Sequence, residues 1–145
     1  MDLANAALQE MVEGHTLRAG EYERMVIPTY NRTLKEFEAP FSSGQKHGPL
    51  ELESSSEVVL PDPFWPEYEQ SGDARAFAAD YVEFFRAAYG PSLFGTLDAD
   101  RTTQEHEQIA DAFYDNLRER IAADPATAAC HWRVVLLLIA KGSDA

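Results

Sequence analysis

Apolar residues recur at three- and four-residue intervals in several stretches of the chain and alternate or run together in two others, so two periods divide it into helices and strands. Leu3, Ala7, Leu8, Met11 and Val12 make one helical stripe over residues 3–13, with Gly14 as its stop. A short second helix is expected over residues 33–41, ended by Pro40 and followed by a loop through residues 42–49. Phe77, Ala78, Tyr81, Val82, Phe84, Phe85 and Ala88 cover one broad face of residues 73–89, and Gly90-Pro91 is the expected stop. Ile109, Ala112, Phe113, Leu117 and Ile121 mark a further long helix over residues 105–123, closed by Asp124-Pro125.

Leu50-Glu-Leu-Glu alternates apolar and polar, the period of a half-buried strand, and residues 57–60 continue it after a break at the serines. Residues 131–141 are the clearest strand. They are apolar on both alternating faces from Val134 onward, so they are expected inside a sheet covered on both sides. Two strands supply few neighbours for such a strand. The fold class expected is α+β, with three to four helices and an antiparallel pair of residues 50–60 with 131–141, in a single domain over residues 1–145. The helical segment of about residues 61–130 is then an insertion between the two strands. A helix with an apolar stripe starting at the second residue, and a strand short of partners, read as the end of a larger α/β protein or as a chain that completes its sheet with a partner.

Between the first helices lies Met25-Val-Ile-Pro-Thr-Tyr-Asn-Arg-Thr-Leu-Lys-Glu-Phe37. Pro28 biases Ile27 away from helix, so the chain runs extended there and delivers Tyr30 from a stiff segment. Thr33 and Glu36 have the spacing of a capping box. A placed phenol is one reading of Tyr30; a loop aromatic that fills a gap is the other. Residues 21–24 read as a short acidic segment. Pro61, Pro63 and Pro66 mark a rigid loop whose Phe64, Trp65 and Tyr68 cap the edge of a core or wall a ligand pocket.

The composition, 45% hydrophobic with 11% aromatic, is that of a folded chain, and 145 residues suit one domain. With 25 acids against 12 bases the net charge is −13, a field that repels phosphate backbones and anionic lipid; neither nucleic acid nor membrane is an expected partner. The single cysteine, Cys130, leaves no internal disulfide, which fits a reducing, cytoplasmic setting. The N-terminus lacks the basic and apolar regions of a signal peptide, and the longest apolar run, residues 134–140, is too short to span a bilayer.

The usual catalytic constellations are missing. No Gly-rich loop follows a strand, so no dinucleotide or phosphate cradle is present. His15, His47, His106 and His131 are scattered, and His106 between Glu105 and Glu107 lacks the second histidine of a helical metal site, so it reads as a solvated surface residue and no metal is expected. Cys130 and His131 are adjacent, and neighbouring strand residues point to opposite faces, which disfavours a thiol and base pair. No catalytic residue is assigned.

Taken together, three segments resemble the C-terminal half of the SABATH carboxyl methyltransferases, the salicylate, jasmonate and benzoate type. Val26-Ile-Pro-Thr-Tyr-Asn-Arg-Thr-Leu-Lys-Glu-Phe37, followed by Leu50-Glu-Leu-Glu, is similar to that family's Ile-Pro-x-Tyr-x-x-Ser-x-x-Glu segment and next strand. Phe85-Arg-Ala-Ala-Tyr-Gly-Pro91 resembles its Met-Arg-Ala-Val-x-Glu-Pro segment, and residues 131–141 resemble its closing strand, which ends in a basic residue. The similarity spans most of residues 3–141. It implies methyl transfer from S-adenosylmethionine to a small aromatic or aliphatic carboxylic acid, in a Rossmann-like fold whose helical cap covers the acceptor. Positioning does most of the work in such a reaction, because a carboxylate is already a nucleophile.

By the same resemblance Tyr30 lines the acceptor pocket, Phe85 and Ala88 fall at cap positions facing the acceptor, and His131 or Trp132 falls near an aromatic at the start of the last strand. Gly90 stands where the family has glutamate, Arg32-Thr33 where it has proline and serine, and Phe85 where it has the smaller methionine, so pocket shape does not carry over. The cofactor-binding half precedes this region in the family and is absent here. These residues alone are therefore expected neither to bind S-adenosylmethionine nor to turn over. Two alternatives belong to other classes: a non-enzymatic homodimeric binding or assembly module that keeps the cap fold and pairs an exposed strand edge, and a small-acid binding protein built on the aromatics around Tyr30.

Overall fold

Segments far apart in sequence make up each of two compact units. Residues 2–28 and 63–129 form a helical unit, and residues 29–42, 50–62 and 130–141 form a unit of one helix and two strands. The structure is a computed structural model and describes residues 2–42 and 50–141. The loop expected over residues 42–49 lies, beyond Ser42, outside the described residues. The class is α+β, with an antiparallel two-stranded sheet and, among the described residues, six α-helices where the hydrophobic pattern predicts three to four.

In the helical unit, α1 (Asp2–Glu13) buries Ala4, Ala7, Leu8 and Met11 on the expected stripe. Its end differs in one detail. Gly14 stays within the last turn, and His15 adopts the left-handed conformation at φ 59°. The His15 amide donates to the Val12 carbonyl at 3.1 Å and that of Thr16 to Met11 at 3.0 Å, the paired bonds of a Schellman ending. The acidic segment at 21–24 proves to be helical, as α2 (Ala19–Arg24), because its one buried carboxylate is fully partnered. The proline-rich loop also contains a helix, α4 (Trp65–Ser71), which Pro66 enters at its first turn, where a missing amide hydrogen costs nothing.

The helix expected to stop at Gly90-Pro91 instead continues as α5 (Ala74–Phe94). Gly90 has no Cβ to clash with the proline ring, which removes part of the constraint that residues before proline ordinarily carry. The extra turn buries Leu93 and sets Phe94 against Phe113 and Tyr114, with ring centroids 5.5 and 5.6 Å apart. Asp73 caps this helix by accepting from the Arg75 and Ala76 amides, both at 3.0 Å. α6 (Thr103–Ala123) opens on a reciprocal capping box between Thr102 and Glu105 and buries Ile109, Phe113, Tyr114, Leu117 and Ile121. A 3-10 turn, Pro125–Thr127, closes it. α5 and α6 pack along their lengths, with α1 against α6.

In the other unit, α3 (Leu34–Ser42) begins at the Thr33–Glu36 capping box as expected and runs two residues beyond Pro40. β1 (Leu50–Leu60) is unbroken through its serines. The irregularity is a bulge at Glu53, where the pairing steps from Leu52↔Ile139 to Ser54↔Leu138. β2 (Trp132–Lys141) pairs with it antiparallel from Leu60↔Trp132 to Leu50↔Lys141, the expected partnership.

The expectation that both faces of β2 are covered fails. Leu136 and Leu138 are 54% and 56% exposed. The pairing puts these two on one face with Ser54, Ser56, Val58 and Leu60. Ser55, on the opposite face, donates to the Glu38 carboxylate of α3. The one helix of this unit therefore packs on the other side of the ribbon, and a strand that reads as interior shows a row of leucines to solvent.

Candidate functional site

Tyr30 sits in an irregular stretch, residues 25–33, between α2 and α3, as the position of Pro28 implies. Tyr30 is 74% exposed, so of the two readings of its residue type it is no gap filler in a core. Its hydroxyl donates to the Glu36 carboxylate, whose other oxygen accepts from the Thr33 amide at 2.7 Å and the Thr33 hydroxyl at 2.9 Å. Glu36 thus caps α3 and fixes the phenol together. Sequence spacing shows the cap and misses the phenol contact, which closes between residues six apart. Donation to Glu36 pushes the Tyr30 ionisation up from its ordinary range, and the same bond holds the Glu36 carboxyl below its own. Arg32 lies over the Phe37 ring, 5.9 Å from its centre.

Trp132 and His131 stand at the start of β2, both exposed. The Trp132 indole N–H donates to the Cys130 sulfur at 3.0 Å, and the Cys130 amide donates to Asp62 at 3.0 Å. Asp62 is 4% exposed and joins the chain just after β1 to the chain just before β2. Sequence reasoning missed it. An acid between two prolines, at the end of a strand whose partner ends at the same level, is the signal that points to such a clasp.

Phe85 and Ala88 belong to the helical unit and face different ways. Phe85 is buried against Tyr89 and Phe113, with centroids at 4.9 and 5.9 Å, whereas Ala88 is exposed. The five residues therefore divide: Tyr30, His131 and Trp132 in the strand-containing unit, Phe85 and Ala88 in the helical one. His106 is half-buried rather than fully solvated, its Nε2 lying 3.4 Å from the Asp98 carbonyl oxygen, because α6 opens against the loop of residues 95–102.

The densest polar cluster of the described residues lies in the helical unit. Glu21 has no exposure, and its two oxygens accept from the Arg18 amide, the Asp98 amide and two nitrogens of Arg101. Arg18 bridges Asp98 and Asp100 at 2.9 and 2.8 Å, and Arg24 reaches Asp98 at 2.5 Å. Every buried oxygen of Glu21 is satisfied, so the cluster has the chemistry of a clamp between α2 and the loop of residues 95–102 rather than of a site with a free reactive group.

Among the described residues no group of three or more metal-ligating side chains converges, and no helix is long and apolar enough to cross a membrane. No protein-family model matches the chain, and no curated protein matches it.

Proposed function

We propose that this chain is the acceptor-covering half of an S-adenosylmethionine-dependent methyltransferase that esterifies a small carboxylic acid. The observation that carries this reading is the chain order around the strand pair: α3 leads into β1, residues 63–129 leave the strand unit to join residues 2–28 in the helical unit, and β2 returns antiparallel to β1. A cap inserted between two terminal strands is the arrangement that the resemblance of residues 26–37, 85–91 and 131–141 implies. The described residues do not fit the cofactor. Among them no Gly-rich turn joins a strand to a helix start.

What these residues contribute is placement. Tyr30, with its proton committed to Glu36, offers a fixed phenol oxygen. Trp132, held through its indole N–H to Cys130, offers a flat apolar surface in the same unit as Tyr30, and Ala88 is exposed on the helical unit. His131 is the remaining polar side chain of the set, and Phe85 backs α5 from within the core. An ionised carboxylic acid needs no general base for methyl transfer, and a polypeptide that only orients it can still supply much of the rate.

The test is reconstitution. The chain is mixed with a separately produced cofactor-binding half of a carboxyl methyltransferase, tritiated S-adenosylmethionine and a panel of aromatic and aliphatic acids. Labelled methyl esters are expected only when both polypeptides are present. Saturable binding of the cofactor by these 145 residues alone would overturn the assignment as a half; absence of ester from every acid, with both polypeptides folded and associated, would overturn the activity. An assembly module is the second reading, favoured by the exposed leucines of β2.

A further inference from the structure

We infer that the leucine face of the strand pair joins two copies of this chain about a two-fold axis. The pairing register gives this face two levels. Leu136 and Leu138 project from β2, while the residues directly across on β1 are Ser56 and Ser54. Over these two rungs β2 is tall and apolar and β1 is low, while the next rungs of the same face, Val58 across from Val134 and Leu60 across from Trp132, are apolar on both strands. A two-fold axis lying between the faces and running along the strands sets β2 of each copy over β1 of the other. Leu136 and Leu138 of one copy then fill the steps above Ser56 and Ser54 of its partner, and the reverse contact follows from the symmetry. A flat row of leucines on both strands would carry no such preference for its own copy.

The area suits a pair. Leu136, Leu138 and Leu60 are 54%, 56% and 44% exposed, with Val58, Val134 and the two serines between them. A ribbon face of this length offers about 600 Å² a copy, or roughly 1,200 Å² in total, the lower limit for a specific interface. Charge is consistent with a second copy and opposes a basic partner. The chain carries −13 overall, yet the middle of this face has no ionisable side chain, and Glu51, opposite Ala140, stands at its far end. A basic partner finds nothing here to pair with, whereas two copies meet through neutral surface while their net charges repel at longer range. Salt then strengthens the pair by screening that repulsion, the opposite of its effect on an acid–base complex. The inference rests on the pairing register and the exposure of this face and not on the methyltransferase reading, and the pair would bury the Trp132 surface that reading assigns to the acceptor.

Sedimentation equilibrium of the full chain decides it. A monomer–dimer equilibrium is expected, tightening roughly threefold or more between 20 mM and 500 mM NaCl. Leu136→Lys with Leu138→Lys is expected to give a monomer with unchanged far-UV circular dichroism, since neither side chain is in a core. A monomeric wild-type chain at high salt, a dimer that survives both lysines, or open-ended oligomers, which report edge pairing, would each overturn the inference. Dissociation of the pair by salt would do so too, because it identifies an interface held by charge.

Discussion

Arg101 donates to both oxygens of Glu21, at 2.5 Å through Nε and 2.6 Å through Nη2, at a carboxylate with no solvent exposure. This bond, with the Arg101 contact to the Thr16 carbonyl, ties the turn after α1 and the start of α2 to the loop before α6. Removing one partner leaves the other buried without compensation. Glu21→Ala is expected to cost about 3 kcal/mol in urea unfolding, and Arg101→Ala a similar amount. The double variant should lose much less than the sum, which a double-mutant cycle measures directly.

The same carboxylate gives the chain an acid sensitivity of defined sign. The bonds from Arg101 hold the Glu21 pKa down at about 2, against 4.5 for an unperturbed glutamate. The folded form binds the proton less readily than the unfolded one, so the contribution is complete above pH 4.5 and is lost as pH falls toward 2. Unfolding free energies across that range should decline more steeply for the wild type than for Glu21→Gln.

Gly90 and Tyr114 form a second testable pair. A Cβ on residue 90 would stand 2.6 Å from the Tyr114 hydroxyl oxygen, while the next ring atom is 3.9 Å away. Gly90→Ala is expected to destabilise by about 1–3 kcal/mol through overpacking. In a Tyr114→Phe background the obstructing oxygen is gone, and the same change should be neutral or gain up to about 1 kcal/mol from helix propensity. Thermal melts of the four proteins separate the two effects.

At the end of α1, His15 holds a left-handed conformation that a side chain resists. His15→Gly should raise stability by about 1 kcal/mol, read as an upward shift in Tm, and Gly14→Ala should not. The same measurement identifies which of the two neighbours ends the helix.

Tyr30 is expected to titrate above an ordinary phenol, because its proton is shared with the Glu36 carboxylate. The difference in ultraviolet pH titration between the wild type and Tyr30→Phe isolates this one group. Glu36→Gln should return the Tyr30 ionisation toward its usual value without unfolding α3, since glutamine at that position still serves the Thr33 cap.

Much of this fold is legible along the chain. The stripe of α1, the faces of α5 and α6, the Thr33–Glu36 cap and the partnership of residues 50–60 with 131–141 all follow from local periods and from hydrogen bonds closed within a few residues. The short helices α2 and α4 and the passage of α5 through Pro91 do not. Each is held by something distant or beside it in space: a buried carboxylate for α2, the packing of Trp65 and Tyr68 on Phe77 for α4, and aromatic packing for the last turn of α5. Of the candidate residues, the extended setting of Tyr30 is readable from Pro28. Its hydrogen bond to Glu36 depends on the path of the irregular residues 31–33 into α3, which no local period fixes.

By itself the sequence determines the long helices and the two strands, because those choices rest on side-chain period and backbone restriction. Only the tertiary structure decides what each face meets. The apolar run of β2 reads as interior on both sides, and local pattern cannot count the neighbours available to it. In the fold, α3 packs on part of one side of the ribbon and the leucines of the other remain in water, since burial depends on the layer above a strand and not on the strand.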